Sequence, residues 1–281
     1  GEVDLHSLVG NDHFGEIVKE FLKKEGVGLI VPNTTTSKTG SCICLSGETD
    51  RSFITYRGAM AEFNPSHLDT QRLLQCSHVH IAGFYNFPKM WSGLRNLIVL
   101  LQKYQISVSL NPQWDASKKW EGLDDLYSVL DCVIMNEDEA FQLTKKRYLA
   151  EAIEAFHNRG LKMIVVTIGA KGAVCSVAKD EKTTEWHWQK AKKTQLVDTT
   201  GAGDAFTGGF VYEWKKSGDI VKALRMGCAL GSAMVTKVGA SVRLSEQEIK
   251  MYMCSEYECG VDVSASEALQ RISIYMSDDD Q

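Results

Sequence analysis

No apolar run in this sequence is long enough to cross a bilayer. The longest, such as Leu97 to Leu101, fall far short of the roughly twenty residues that a spanning helix needs. No stretch reads as a signal peptide, so no membrane partner is expected and a cytoplasmic location is. A basic stripe is also missing. Lys and Arg number 31 against 36 Asp and Glu, spread along the chain for a net charge of -5, which argues against a nucleic-acid partner. The eight cysteines lack the rhythm of a disulfide scaffold. Cys42 and Cys44 alternate like strand residues and Cys254 and Cys259 lie apart, so reduced thiols are expected rather than a metal or disulfide site. There is no internal repeat and no convincing linker, which leaves a single domain over residues 1–281 as the expectation. An acidic tail, residues 277–281, closes the chain and is expected to be disordered.

What is present is enough apolar material, 44%, to build a sizeable core, distributed in alternating β and helical patterns. Ser77–Gly83, Ile106–Leu110, Cys132–Met135 and Met163–Ile168 read as strands, the last as one buried on both faces. Trp91–Tyr104 carries Leu94, Leu97, Ile98 and Leu101 at helical spacing. Leu123–Leu130 and Tyr148–Asn158 also read as helices. Asn136 is followed by Glu137, Asp138 and Glu139, a charge pattern suited to a helix N-terminus. Strand and helix alternating at this spacing predict βαβ units and a three-layer α/β/α fold around a mostly parallel sheet. The segment 29–59 breaks the rhythm. Thr39–Leu45 and Arg51–Tyr56 read as a hairpin, and a hairpin inserted in an α/β chain is expected to act as a lid or an interface. A second β cluster is expected at Gly172–Val177 and Glu185–Val197. His78 and His80 share a strand face, as do Trp186 and Trp188. Packing is the expectation for both pairs, ahead of a metal site or a stacking platform.

The strongest chemical signal is Asp198-Thr-Thr-Gly-Ala-Gly-Asp-Ala-Phe206. A strand-like Gln195–Val197 precedes it and a helical run, Ala205–Lys216, follows. A glycine-rich turn entering a helix presents amides that have no partner inside the helix. The amides of Gly201, Ala202 and Gly203 can therefore hold a phosphoryl group. Asp204 beside them is placed to accept a proton from an attacking hydroxyl. No Lys-Ser or Lys-Thr follows the glycines, so this is not a Walker A loop. Phe206 stands where a dinucleotide fingerprint needs its third glycine. The residues alone leave open that Asp204 merely caps the helix.

That nine-residue run resembles the C-terminal signature of the PfkB family, the ribokinase-like kinases. The resemblance implies Asp204 as the catalytic base and Gly201, Ala202 and Gly203 as the anion hole. Further runs fit the family in order. Val9-Gly-Asn-Asp-His-Phe-Gly15 is similar to an early family run. Asn136-Glu-Asp-Glu139 resembles the family's Asn-x-x-Glu motif, which implies that Asn136 and Glu139 organise Mg2+ and phosphate, partly through water; an ordinary N-cap is the alternative for Asn136. Thr167-Ile-Gly-Ala-Lys-Gly172 resembles the turn that meets the nucleotide, implying ATP contacts at Thr167, Gly169 and Gly172, with a plain hairpin turn as the alternative. Gly227–Ala240 resembles a late helix beside the adenine, where Cys228 stands in place of a common Asn. Asp198, Thr200 and Gly239 match positions where family members often hold a monovalent cation such as K+. On the acceptor side, Asn111 resembles a strand end that many sugar kinases write with Asp, and Gly58 opens a run similar to the family's Gly-Ala-Asn, with Met60 in place of Asn.

The resemblance implies an ATP-dependent kinase acting on a hydroxyl of a small sugar-like molecule. A nucleoside kinase of the same family is the nearer alternative, and a non-catalytic nucleotide-binding or assembly module the further one. The chain opens at Gly1 directly on a strand-like run, Val3–Val9. The resemblance implies that family members usually carry roughly fifty more residues ahead of this point, with a first strand, an Asp after it and a Gly-Gly helix start, the Asp and the glycines gripping the acceptor; two readings stay open, a portion of an ordinary kinase or a gene product that is this short. The lid-like segment 29–59 is the expected place for a homodimer contact.

Overall fold

The computed structural model describes residues 1–31, 36–46, 51–180, 183–253 and 259–263. The expected acidic tail, residues 277–281, and Cys254 lie outside them, as do residues 47–50 of the hairpin connection. The chain divides into two compact units, one of Gly1–Val108 with Gln113–Lys118 and one of Ser109–Pro112 with Lys119–Gln281.

In the first unit, β1 (Asp4–His6) pairs in parallel with β2 (Gly28–Ile30) across α1 (His13–Lys24). The strand at the start is thus shorter than the run Val3–Val9 suggests. The N-terminus of α1 is held by Asp12, whose Oδ1 accepts from the amide of Gly15 at 2.9 Å and from the hydroxyl of Thr39 at 2.6 Å. Its Oδ2 accepts from the Thr39 amide at 2.9 Å. The Val9–Gly15 run is therefore a cap tied to a distant segment. β3 (Ser41–Ser46) and β4 (Arg51–Tyr56) form the expected antiparallel hairpin, with Ile43 opposite Ile54 and Cys44 opposite Phe53. Both faces of this ribbon are apolar and open: Ile43 is 60%, Ile54 59% and Phe53 55% exposed. The unit also holds α2 (Thr70–Leu73), β5 (His78–Ala82) and α3 (Trp91–Lys103). On β5, His78 Nδ1 lies 2.8 Å from the Ser107 hydroxyl, and burial pushes the His80 imidazole down to about 4.

β6 (Ser107–Asn111) leads into the second unit. There follow β7 (Cys132–Asn136), α4 (Glu137–Thr144), α5 (Leu149–Asn158), β8 (Met163–Thr167), β9 (Ala173–Ala178), β10 (Thr184–Gln189), α6 (Ala202–Ser217), α7 (Ile220–Met234), α8 (Glu246–Met253) and β11 (Cys259–Val263). β6, β7 and β8 pair in parallel, and β9, β10 and β11 extend the sheet antiparallel from β8. Side chains of successive strand residues take opposite faces, and helices cover both. Cys132, Ile134, Met163, Val165, Ala173 and Cys175 pack against Phe206 and Phe210 of α6 and against Ala223, Leu224 and Cys228 of α7. Ser176 has the opposite parity, and its hydroxyl lies 2.9 Å from Nε2 of His157 on α5. The class expected from the sequence, α/β with a mostly parallel central sheet between helices, is the class observed. Trp186 and Trp188 are buried.

Three expected elements differ. Leu123–Leu130 forms successive turns rather than a helix: Leu126 N donates to Leu123 O and Val129 N to Leu126 O. Its leucines and Tyr127 are buried at helical spacing, so the burial pattern mimics a helix that the backbone bonds do not continue. Residues 190–197 pair with no strand among the described residues, and β10 ends at Gln189. Val197 and Asp198 instead both donate to Val235 O, at 2.8 and 3.1 Å. The late helix runs Ile220–Met234 rather than Gly227–Ala240, because Asp219 caps it at the start by accepting from the Lys222 amide at 3.0 Å. Among the described residues no helix is long and apolar enough to cross a membrane.

Candidate active site

The chemistry-bearing residues of the second unit gather at the ends of β7 and β8 and at the start of α6. Gly201 is the N-cap of α6 with φ 78°, a left-handed conformation that glycine adopts without cost. Glycine is needed there for a second reason: an added Cβ would lie 2.8 Å from Ala240 O and 2.9 Å from Ala240 Cα. The helix begins at Ala202, earlier than the expected Ala205, so Gly203 and Asp204 belong to its first turn. Asp204 is therefore not the cap. Its carboxylate sits where the amides at a helix start favour negative charge, and the surrounding protein raises its carboxyl above the usual range by desolvation. Much of the side chain is nonetheless open to solvent, which limits that shift. At Gly203 an added Cβ would meet nothing within 4 Å, so the backbone here is bare on its outer side. The Ala202 amide donates to Thr199 O at 3.2 Å, which makes it the most engaged of the three expected anion-hole donors.

Asp198 ties this turn together. Its Oδ1 accepts from the amide and hydroxyl of Thr200, at 2.8 and 2.7 Å. Its Oδ2 accepts from the Gly239 amide at 2.9 Å, across a separation of 41 residues. The three residues expected to share a cation are thus brought together by direct hydrogen bonds.

Asn136 and Glu139 form a reciprocal capping box on α4. Asn136 Oδ1 accepts from the Glu139 amide at 2.8 Å, and Glu139 Oε2 accepts from the Asn136 amide at 3.0 Å. The N-cap alternative thus describes what Asn136 does within the chain. Glu139 has a further property. It is only 6% exposed, and its carboxyl is pushed up to about 7, first by burial and then by the neighbouring charges of Asp138 and Asp204. Asp204 and Glu139 are therefore electrostatic neighbours, which joins the start of α6 to the start of α4. A buried carboxylate beside other carboxylates is an oxygen site that a hard divalent cation would relieve; among the described residues no three His, Cys, Asp or Glu side chains gather to hold a metal by themselves, so Mg2+ would fit here only with water and phosphate oxygens completing its shell.

Sheet register places Thr167 directly opposite Asn136. The Thr167–Gly172 segment is the hairpin turn joining β8 to β9, closed by Ile168 N donating to Gly172 O at 2.8 Å. Gly172 has φ 103° and approaches β10 so closely that a Cβ would lie 1.9 Å from Gln189 O. Gly169 points into open space. The turn also carries Lys171, whose charge lowers the Glu137 carboxyl, partly offsetting the upward push of burial. Glu137 and Lys171 each fall in a run that the sequence singles out, but their proximity is not legible there, since it comes from two separate strand ends lying side by side.

Cys228 is buried in the α6–α7 core, its thiol 3.5 Å from Gln189 O. Asn111 closes β6 in the second unit. Gly58 opens a 3-10 turn, Gly58–Glu62, in the first unit, with φ 49°. Ala240, whose backbone dictates Gly201, was not legible as a site residue. A contact between positions so far apart leaves no local pattern.

A family model described as pfkB family carbohydrate kinase matches residues 1–247. The chain is 29% identical over 250 residues to the ribokinase of Haemophilus influenzae, covering 85% of this chain and 77% of that protein. It is 24% identical over 265 residues to the adenosine kinase of Schizosaccharomyces pombe, covering 86% of this chain and 76% of that protein. Among solved structures, an Escherichia coli protein provisionally described as ribokinase II, in complex with ATP and Mg2+, superposes with a TM-score of 0.78 at 26% identity, covering 90% of this chain and 83% of that one.

Proposed function

This chain belongs to the pfkB family of carbohydrate kinases, and on that premise we propose that it transfers the γ-phosphoryl group of ATP to a hydroxyl of a small sugar-like molecule. The observation that carries the reading is the first turn of α6, where a bare glycine backbone at Gly203 stands next to Asp204, itself an electrostatic neighbour of Glu139. Asp204 accepts the proton of the attacking hydroxyl. Its raised carboxyl makes it a better base than an ordinary surface aspartate. The amides of Gly201, Ala202 and Gly203 face the transferring group and stabilise the charge that develops on it. Asn136 and Glu139 would hold Mg2+, partly through water, and Thr167, Gly169, Gly172 and Cys228 would line the nucleotide. Mg2+, when bound, offsets phosphate charge. Asn111 and Gly58 serve the acceptor. Most of the rate gain comes from positioning and electrostatics, since phosphoryl transfer asks for little covalent chemistry from the protein.

A monovalent cation at Asp198, Thr200 and Gly239 belongs to the same proposal. Hydrogen bonds from Thr200 and Gly239 to Asp198 gather the three residues at one place, which supports K+ there. A homodimer through the β3–β4 hairpin is supported by the open apolar residues on both of its faces. A nucleoside acceptor is the second reading, favoured by the extent of the match to an adenosine kinase.

The test is ADP release with MgATP against a panel of pentoses, hexoses and nucleosides, with Asp204→Asn alongside. Acceptor-dependent ADP is expected. The variant should lose turnover by about a hundredfold to ten-thousandfold while still binding MgATP. Full activity in Asp204→Asn would remove it as the base, and MgATP binding without turnover on any acceptor would favour the non-catalytic module.

A further inference from the structure

The second unit holds a small pocket where α7, the segment after β10 and α8 meet. Among the described residues its wall carries three cationic side chains, Lys190, Lys192 and Arg225, and no acidic one. Gln189 and Cys228 also line it. Gln189 O accepts from the Cys228 thiol at 3.5 Å, and Gly172 packs against the same oxygen. The pocket therefore borders the turn that follows β8.

Two of the three cations are held by the end of α8. Arg225 Nη2 donates to Met253 O at 2.7 Å. Lys192 Nζ donates to Met251 O at 3.1 Å and lies 4.7 Å from the centre of the Tyr252 ring. Carbonyls at a helix C-terminus lack partners inside the helix and attract cations, so α8 anchors both side chains. The guanidinium is planar, so the anchored Nη2 also limits where the Nε–H of Arg225 can point. That Nε is buried and has no hydrogen-bond partner among the described residues. A buried donor left unpaired is costly, and an acceptor brought into the pocket relieves it.

Purine bases differ in what they bring. A 6-oxopurine presents O6 and N7, two adjacent acceptors, whereas adenine presents N7 beside an N6 amino donor. Arginine and lysine suit the first edge. Against the second they set a donor against a donor.

We propose that Arg225, with Lys192 on the same wall, is a base-specificity residue, and that the pocket takes a 6-oxopurine nucleotide, GTP or ITP, in preference to ATP. The inference rests on the kinase reading above, in which Cys228 lines the nucleotide, and narrows it to a class of base.

The experiment is calorimetric titration of MgATP, MgGTP and MgITP into the wild type, Arg225→Met, Arg225→Lys and Lys192→Met, with thermal melting of each. ITP lacks the 2-amino group of GTP and so isolates the O6 edge. The wild type is expected to bind GTP and ITP about tenfold to a hundredfold more tightly than ATP, the discrimination of one good bidentate pair. Arg225→Met should bring the three affinities together by weakening GTP and ITP, and Arg225→Lys should recover part of the difference. Arg225→Met also gives up its bond to Met253 and should melt lower, but that loss acts on all three nucleotides alike and leaves their ratio untouched. Lys192→Met should narrow the same ratio. A wild type that prefers ATP, or binds the three equally, overturns the proposal and leaves the kinase reading standing. ITP binding like ATP would overturn it by placing the selection on the 2-amino group, and a preference kept in Arg225→Met would remove that residue from the role. A wild type that binds none of the three sinks both readings together.

Discussion

The backbone of Gly201 lies against that of Ala240 so closely that a Cβ on Gly201 would sit 2.8 Å from the Ala240 carbonyl oxygen. The contact sets where α6 begins, and so where Gly203 and Asp204 point. Two glycines of one short run thus answer to different demands, Gly201 to the protein and Gly203 to the open side.

Alanine at these two positions should separate the demands. Gly201→Ala must place a side chain at φ 78°, which costs about 1–2 kcal/mol, and must displace the Ala240 backbone as well. It should lower both the unfolding midpoint and activity. Gly203→Ala meets no protein atom and removes a helical glycine, so its melting temperature should hold or rise slightly while turnover falls. Thermal melts and steady-state rates on the same preparations check this, and equal stability loss in both variants would contradict it.

Glu139 should make the ligand-free protein less stable as pH rises. Its carboxyl moves from an ordinary 4.5 up to about 7 in the folded state, so between those values the folded chain holds more protons than the unfolded one. Stability then falls with rising pH across that window. Glu139→Gln can keep the capping geometry and should flatten this part of the profile. Urea unfolding from pH 4.5 to 8 measures it. Mg2+ should favour the ionised form, so its binding should strengthen as pH rises through about 7.

Asp198→Ala removes the acceptor for Thr200 N, Thr200 Oγ1 and Gly239 N together. A loss of about 1–3 kcal/mol is expected from stranded donors, with activity falling more steeply because the turn before Asp204 loses its anchor. Asp198→Asn should retain part of both. Chemical denaturation and kinetics read the two effects. An Asp198→Ala protein with wild-type turnover would show that the anchor is dispensable.

The β3–β4 hairpin should carry a self-association surface. Ile43 and Ile54 face each other across the ribbon and both are open. Sedimentation of the wild type is expected to show a dimer, and Ile43→Asp combined with Ile54→Asp a monomer of unchanged fold. A monomeric wild type at tens of micromolar would end the idea.

Much of this protein was legible in one dimension. The continuous apolar run at Met163 read as a buried strand and is one. Asn136 with three acids behind it read as a helix start and is one. These signals are local, because capping and burial alternate over a few residues. The failures share a cause. Leu123–Leu130 has the apolar spacing of a helix but the backbone bonds of successive turns, and Gln195–Val197 has the composition of a strand with no strand paired to it among the described residues. In neither does the residue pattern decide where the backbone bonds go: those of Leu123–Leu130 close successive turns, and Val197 and Asp198 donate to Val235.

The sequence by itself determined the α/β class and the places of the glycine turn and the capping box, since each is written in adjacent residues whose conformational and hydrogen-bonding preferences act over one turn of chain. Only the tertiary structure decided that Glu139 neighbours Asp204, that Thr167 lies opposite Asn136, and that Ala240 forbids a side chain at Gly201. Those relationships depend on strand register and on where one helix start comes to rest beside another. Charge and steric contact act through space at a few ångströms, and no local spacing encodes which distant residues will share that space.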